Sequence, residues 1–484
     1  MCNLSTKTNS CVKLFNKMSE IPLENLSTTN DPTEIIAIDS NTSKFKTMAL
    51  IASMVTTSTI SHACLGLVLL TFVGKTDNRQ ATATAGLFNF YVAVTALAFC
   101  MGWLSAQDTL TAQALGSGNM RKLGLTLLRS CLTLSGVFCL IAALWFLTER
   151  VLLALQQEKE IALAVGKLTL LYLPFLPFYL LSEVLKRWCY LTGSSFQVMC
   201  ITVTSNILSV IIGYLLIYVA KLGLTGFPLS LGSTSLIQTV VLVAFVFHSE
   251  MVKEVIQSNS EGQSLWKELF CLSDLLEYIK LAVPGAAITI SEWLGFEIHS
   301  FMAGWLGIAA LGAQGILINT AYMMFSIPLG LSIATSILVG VDVGQDDVQA
   351  AKEDAKLGLK TASVVSVIIV IMYLLLHSLW GRLFTTSEEV VKLVATCMFV
   401  LASLTVSDFV GTVAGGVYKG LGKQAVSCYS YVISYYVVGV PLGYLLAFKC
   451  GLGLTGLWLG VAAGSWINCG VLLTGLFKVS SILE

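Results

Sequence analysis

Residues Leu281–Leu306 read LAVPGAAITISEWLGFEIHSFMAGWL. The stretch is apolar and longer than the roughly 20 residues a helix needs to cross a bilayer. It nevertheless carries Glu292, Glu297 and His299 in its middle. A carboxylate at the centre of a spanning helix costs roughly 2.5–3.5 kcal/mol on insertion scales, so such groups mark a polar cavity rather than a lipid face. The stretch is therefore read as a helix lining a cavity between two helical bundles, its glutamates taking up and releasing protons.

The rest of the chain fits that reading. Of 484 residues, 56% are hydrophobic and 12% charged, about half the charged fraction of a soluble domain. Apolar segments of spanning length recur at 45–74, 83–106, 124–147, 163–186, 197–220 and 226–247. After a polar stretch they resume at 278–306, 308–338, 358–380, 391–414, 426–448 and 454–477. The expected fold is an all-α polytopic membrane protein, about twelve transmembrane helices in two six-helix pseudo-symmetric lobes. The expected domains are a disordered cytosolic tail (1–44), an N-lobe (45–248), a cytosolic linker (249–277), a C-lobe (278–477) and a short tail (478–484).

With both termini in the cytosol, the cytosolic loops hold roughly twice as many Lys and Arg as the far side, as the positive-inside rule asks. Whether the membrane is the plasma membrane or an internal, vacuolar or vesicular one stays open. The net charge is zero, and nothing points to nucleic acid. The 13 cysteines form no CxxC and read as reduced packing residues. No His/Cys/Asp cluster has metal spacing, and no nucleophile stands with a base, so no enzyme and no cofactor are expected.

The halves repeat. Leu222-Gly223-Leu224-Thr225-Gly226 returns as Leu452-Gly453-Leu454-Thr455-Gly456, and Ser235 and Ile237 match Ser465 and Ile467 at the same offset. The loop ALGSGNMRKLG from Ala114 faces DVGQDDVQAAK from Asp342. Internal duplication is a transporter signature. An even number of helices per repeat gives both halves the same orientation, with the substrate site between them.

LSAQDTLTAQALGSGN after the second helix, PLGLSIATSILVGVDVGQ from Pro328, GGVYKGLGKQAV from Gly415, and SEWLGFE from Ser291 together resemble the multidrug and toxic compound extrusion (MATE) family, its eukaryotic branch in particular. The resemblance implies a V-shaped pair of lobes. It implies antiport of organic cations or amphiphiles against protons, by alternating access, in a chain that works as a monomer. Sodium coupling and flipping of lipid-linked sugars are the alternatives within that fold. Two departures stand out: Asn319 occupies a place where animal members often carry glutamate, and the first helix has no acid, only His62.

The residues divide by role. Glu292 is the primary proton site, with Glu297 about 140° away around the helix and Asp408 on helix ten as its partner. Two close carboxylates resist ionising together and can share one proton. Trp293, Tyr322, Asn319 and Asn206 are the substrate-cavity candidates: a ring face attracts an organic cation, and the resemblance aligns Asn319 with a family glutamate and Asn206 with a family asparagine. Asp108, Gln113 and Gly116 are read as a gating or structural motif where the lobes touch, and Glu183 as a solvated or salt-bridged residue at the membrane edge. His62 and His299 read first as hydrogen-bonded packing residues. Pro174 and Pro177 are expected to kink helix four, because proline removes a backbone donor.

Overall fold

A computed structural model describes residues 41–75, 79–260 and 265–482. The tail expected over 1–44 lies, apart from its last residues, outside that set. Among the described residues, twelve helices are long and apolar enough to span a bilayer. They are α1 (Lys44–Gly74), α2 (Gln80–Gly116), α3 (Met120–Phe146), α4 (Lys159–Leu191), α5 (Ser195–Val219) and α6 (Gly223–His248). The second six are α7 (Leu272–Trp305), α8 (Ile308–Gly344), α9 (Val348–Leu383), α10 (Glu388–Gly420), α11 (Gln424–Lys449) and α12 (Gly453–Lys478).

Several helices outrun their hydropathy. The apolar window ends where polar residues begin, but the helix continues until a side chain caps it. Asn119 Oδ1 accepts from the Lys122 amide at 2.8 Å and starts α3; Asp347 Oδ1 accepts from the Ala350 amide at 2.9 Å and starts α9. Each cap satisfies one of the free N–H groups of a first turn. The expected break in α4 is present as a 3₁₀ turn, Leu173–Phe175. Pro284 and Pro328, by contrast, lie inside continuous helices.

Each lobe has its own core. In the first, Leu69, Phe88, Trp145, Tyr172 and Phe227 pack together; in the second, Leu317, Tyr373, Cys397, Phe409 and Trp458 do. Two buried indoles find partners within a lobe: Trp145 Nε1 donates to Thr95 Oγ1 at 2.9 Å, and Trp458 Nε1 to Gln314 Oε1 at 2.8 Å. The repeat is structural as well as textual. Both α5 and α11 end in a π turn, Leu215–Val219 and Leu445–Lys449. Onto these turns fold Gly226 and Gly456, where a side chain would collide with Ile217 and with the backbone at Leu446–Ala447. The duplicated glycine is thus required by close helix approach.

The lobes meet at one end. Thr56 Oγ1 donates to the Ser326 carbonyl (3.1 Å), Thr109 Oγ1 to the Lys419 carbonyl (2.7 Å) and Gln113 Nε2 to the Gly420 carbonyl (3.1 Å). Gln424 Nε2 donates to Thr109 Oγ1 (2.8 Å) and to the Ser105 carbonyl (3.1 Å), while its Oε1 accepts from Ser105 Oγ (3.1 Å). Gly116 lies against the Val341 backbone with no room for a Cβ. These groups occupy the first half of α1, the last halves of α2, α8 and α10 and the start of α11. An up-and-down topology puts those ends on the face that carries the α6–α7 linker, so the cleft opens toward the opposite face. The linker contains two short helices, Glu250–Ser260 and Leu265–Leu269. It is fastened to α3 by Arg121 Nη2 to Glu268 Oε1 (2.8 Å), and α7 by Arg129 Nη2 to Asp274 Oδ2 (2.5 Å).

Candidate functional site

On α7, Glu292 is half-buried. Asp408 of α10 is close enough for its charge to act on Glu292, and Tyr431 of α11 lies beside Glu292. The Tyr431 and Tyr435 rings stack with centroids 4.6 Å apart. The backing is polar and ordered: Ser407 Oγ donates to Ser465 Oγ at 2.9 Å, and Ser430 Oγ to Asn468 Oδ1 at 2.6 Å. Tyr436 Oη donates to the Ser291 carbonyl at 2.6 Å and pins α11 to α7 beside Glu292. Four helices thus converge on one acidic pair. Two acids within electrostatic range of each other can bind a proton or a cation.

Glu297 points elsewhere, as the angle around the helix requires; it is half-buried. Trp293 and Tyr322 meet edge to face at 6.1 Å, and Tyr322 feels the charge of Glu292. Asn319 is exposed one turn from Tyr322, its Nδ2 bonded to the Gly315 carbonyl at 2.8 Å. Asn206, expected on the cavity wall, is instead buried within the first lobe. Its Nδ2 donates to Ser61 Oγ at 2.9 Å and its Oδ1 accepts from Gln238 at 3.3 Å. The hydrogen-bonding capacity that suggested a cavity role is used to join α5 to α1 and α6.

In the first lobe, the buried Asp108 is ion-paired with Arg187, whose Nη2 also donates to the Met101 carbonyl at 2.9 Å. Glu183 pairs with Lys186 one turn along α4 and is half-buried rather than solvated. His62 of α1 is exposed and lies within electrostatic range of that pair. His299 is a packing residue: it is buried, and its Nδ1 bonds the Gly295 carbonyl at 2.7 Å. Gln113 and Gly116 lie in the contact between lobes, and Asp108 sits beside it.

Three participants escaped the sequence reading. Tyr431 and Gln424 lie in a segment that reads simply as a spanning helix. Lys419 reads as one more cytosolic charge, whereas the structure half-buries it within electrostatic range of Glu292 and Asp108. Its spacing from Asp408 on one helix was the signal that could have found it.

The MatE family model matches residues 55–215 and 284–445, one copy in each lobe. The chain is 31% identical over 399 residues to "Multidrug and toxin extrusion protein 2" of Oryctolagus cuniculus, covering 82% of this chain and 64% of that one. It is 29% identical to "Multidrug and toxin extrusion protein 1" of Homo sapiens, covering 80% and 66%. The match thus spans slightly less than two thirds of either relative. The solved eukaryotic MATE transporter AtDTX14 has the same fold (TM-score 0.80, 23% identity, 90% of this chain and 95% of that one). So does a MOP superfamily transporter from Pyrococcus furiosus whose binding pocket is described as of reverse polarity (TM-score 0.80, 15% identity, 91% and 97%). Matched by the family model in both halves, the chain is a multi-pass membrane protein that belongs to the MatE family, on its eukaryotic branch.

Proposed function

We propose that the protein is a secondary antiporter that exports organic cations or cationic amphiphiles in exchange for protons. The observation that carries this reading is the Glu292–Asp408 pair beside Tyr431, which supports a cation site in a cleft between lobes that touch at the linker face. When the pair is ionised it attracts a cation, with the Trp293 and Tyr322 rings as an aromatic flank worth about 0.5–2 kcal/mol per ring face. A proton arriving from the open side neutralises the pair and releases the cargo. The lobes then rock, breaking the contacts of Gln113, Thr109 and Gln424, and the proton leaves on the other side. Positive-inside orientation puts the linker face, and both termini, in the cytosol, so the conformation described here is open to the outside.

The test is transport of a fluorescent organic cation in proteoliposomes under a pH gradient or a sodium gradient, imposed separately. Transport driven by the pH gradient and lost in Glu292→Gln is expected. Transport driven by sodium alone would refute proton coupling and turn the carboxylates into ion ligands.

A further inference from the structure

We propose that the floor of the cleft holds an anion-accepting subsite built on Lys419, so that the preferred cargo is amphoteric, with a cationic centre and a carboxylate-like group on one molecule. The inference deepens the cation-export reading and rests on it. Along α10, Asp408, Thr412, Gly415 and Lys419 are half-exposed, while Phe409, Val413, Ala414, Gly416, Val417, Tyr418 and Gly420 are buried. At about 100° per residue the four fall within an arc of roughly 60°, a single stripe. Its two ends face the same partner on the opposing helix: Asp408 and Lys419 both act electrostatically on Glu292. The stripe therefore runs down the cleft wall from the acidic pair to the floor.

At the floor the ammonium of Lys419 makes no hydrogen bond or ion pair with any described residue. The carboxylate nearest in charge terms from the first lobe, Asp108, is already held by Arg187. A lysine ammonium carries three donors, and a partly buried cation with unused donors favours an anionic oxygen. Between the two charges lies Gly415, where a Cβ would meet nothing within 4 Å, so the groove is clear. Asp408 and Lys419 are about 16 Å apart along the helix axis at 1.5 Å per residue. The lysine arm spans part of that distance and leaves a gap suited to charges separated by an aromatic ring.

The test is equilibrium binding to the purified full chain in detergent, with no gradient, using benzyltrimethylammonium and its 4-carboxy analogue. In Lys419→Gln the carboxylated probe is expected to lose about tenfold in affinity, as for removal of one charge-assisted hydrogen bond, while the plain cation, relieved of a like charge within range of Glu292, should bind no more weakly than to the wild type. Lys419→Arg should retain most of the carboxylate preference. Gly415→Leu, which fills the groove between the charges, should weaken the longer zwitterion about tenfold and spare the cation; it supplies the same comparison independently if Lys419→Gln does not fold. Equal effects on both probes, or none, would overturn the subsite while leaving cation binding intact. Failure of the wild-type chain to bind either probe would overturn the cation-cleft reading, and the subsite with it.

Discussion

Gln424→Ala removes the side chain that ties the lobes together on the linker face. Gln424 is 1% exposed and takes part in three hydrogen bonds across the interface, two to Ser105 and one to Thr109. Each has a net worth of about 0.5–1.5 kcal/mol, because opening the interface exchanges these bonds for bonds to water. Three bonds that share groups then total about 2–3 kcal/mol, a factor of roughly 30–150 in the equilibrium between the closed and open linker face. The readout is the distance distribution between spin labels introduced through unnatural amino acids at Leu155 and Leu383. Both residues are exposed; Leu155 follows α3 and Leu383 ends α9, so both lie on the face opposite the linker. In the wild type the distribution should be dominated by the long distance of the open mouth, and in Gln424→Ala a short-distance population should rise to a comparable share. Asn206→Ala, which breaks bonds inside one lobe only, should leave the distribution as in the wild type. An unchanged distribution in Gln424→Ala, with thermal stability intact, would refute the view that this contact sets which side is open.

Gly116→Val places a side chain against the Val341 backbone; the same labels should report loss of the open-mouth state while helix content stays constant. Trp293→Ala and Tyr322→Ala should each weaken binding of an organic cation by about 2–30-fold, from a ring contact worth about 0.5–2 kcal/mol. Because the two rings touch, the double variant should lose less than the sum, as titration by tryptophan-independent calorimetry would show. The linker clasp should be pH-dependent. The hydrogen bond from Arg121 holds the Glu268 carboxyl below its ordinary range, so its contribution is present above that range and lost as pH falls through the lowered value. Hydrogen exchange over Leu265–Leu269 should accelerate below about pH 4 in the wild type, and should be fast at all pH values in Glu268→Gln.

Residue chemistry along one dimension was enough for the twelve helices, because a bilayer demands long apolar runs and the runs are unbroken. It also drew attention to Glu292 and Asp408, because a charge inside such a run is costly, and the structure brings the two within electrostatic range. It was less informative where function depends on which face of a helix meets which neighbour. Asn206 looked like a cavity group because it is polar in an apolar span, yet Ser61 and Gln238 satisfy it. Lys419 looked like a loop charge because it follows a glycine-rich stretch, yet α10 continues through it. Gln424 carried no signal, because a glutamine at the start of a helix is ordinary and its partners, Ser105 and Thr109, lie some three hundred residues earlier. Hydropathy reports depth in the membrane; pairing between lobes is written only in the packing.

The internal repeat sharpens the case for where protons would be handled. The first helix of the first half carries a histidine, His62, within its span, and the first helix of the second half carries two glutamates, Glu292 and Glu297. The acid within electrostatic range of His62, Glu183, is paired with Lys186. Elsewhere in that lobe Asp108 is paired with Arg187. A carboxylate held in a buried ion pair cannot be neutralised without stranding its partner's charge, which is strongly unfavourable. Around Glu292 the neighbouring acid is Asp408, and the cation within range, Lys419, is not in contact with either. These acids can lose their charge without orphaning a base. A duplicated fold has thus been given one wall of compensated charge and one of uncompensated charge. Only the second can exchange a proton for a cation at little electrostatic cost, which favours coupling at Glu292 and Asp408 over the ion-paired acids of the first lobe.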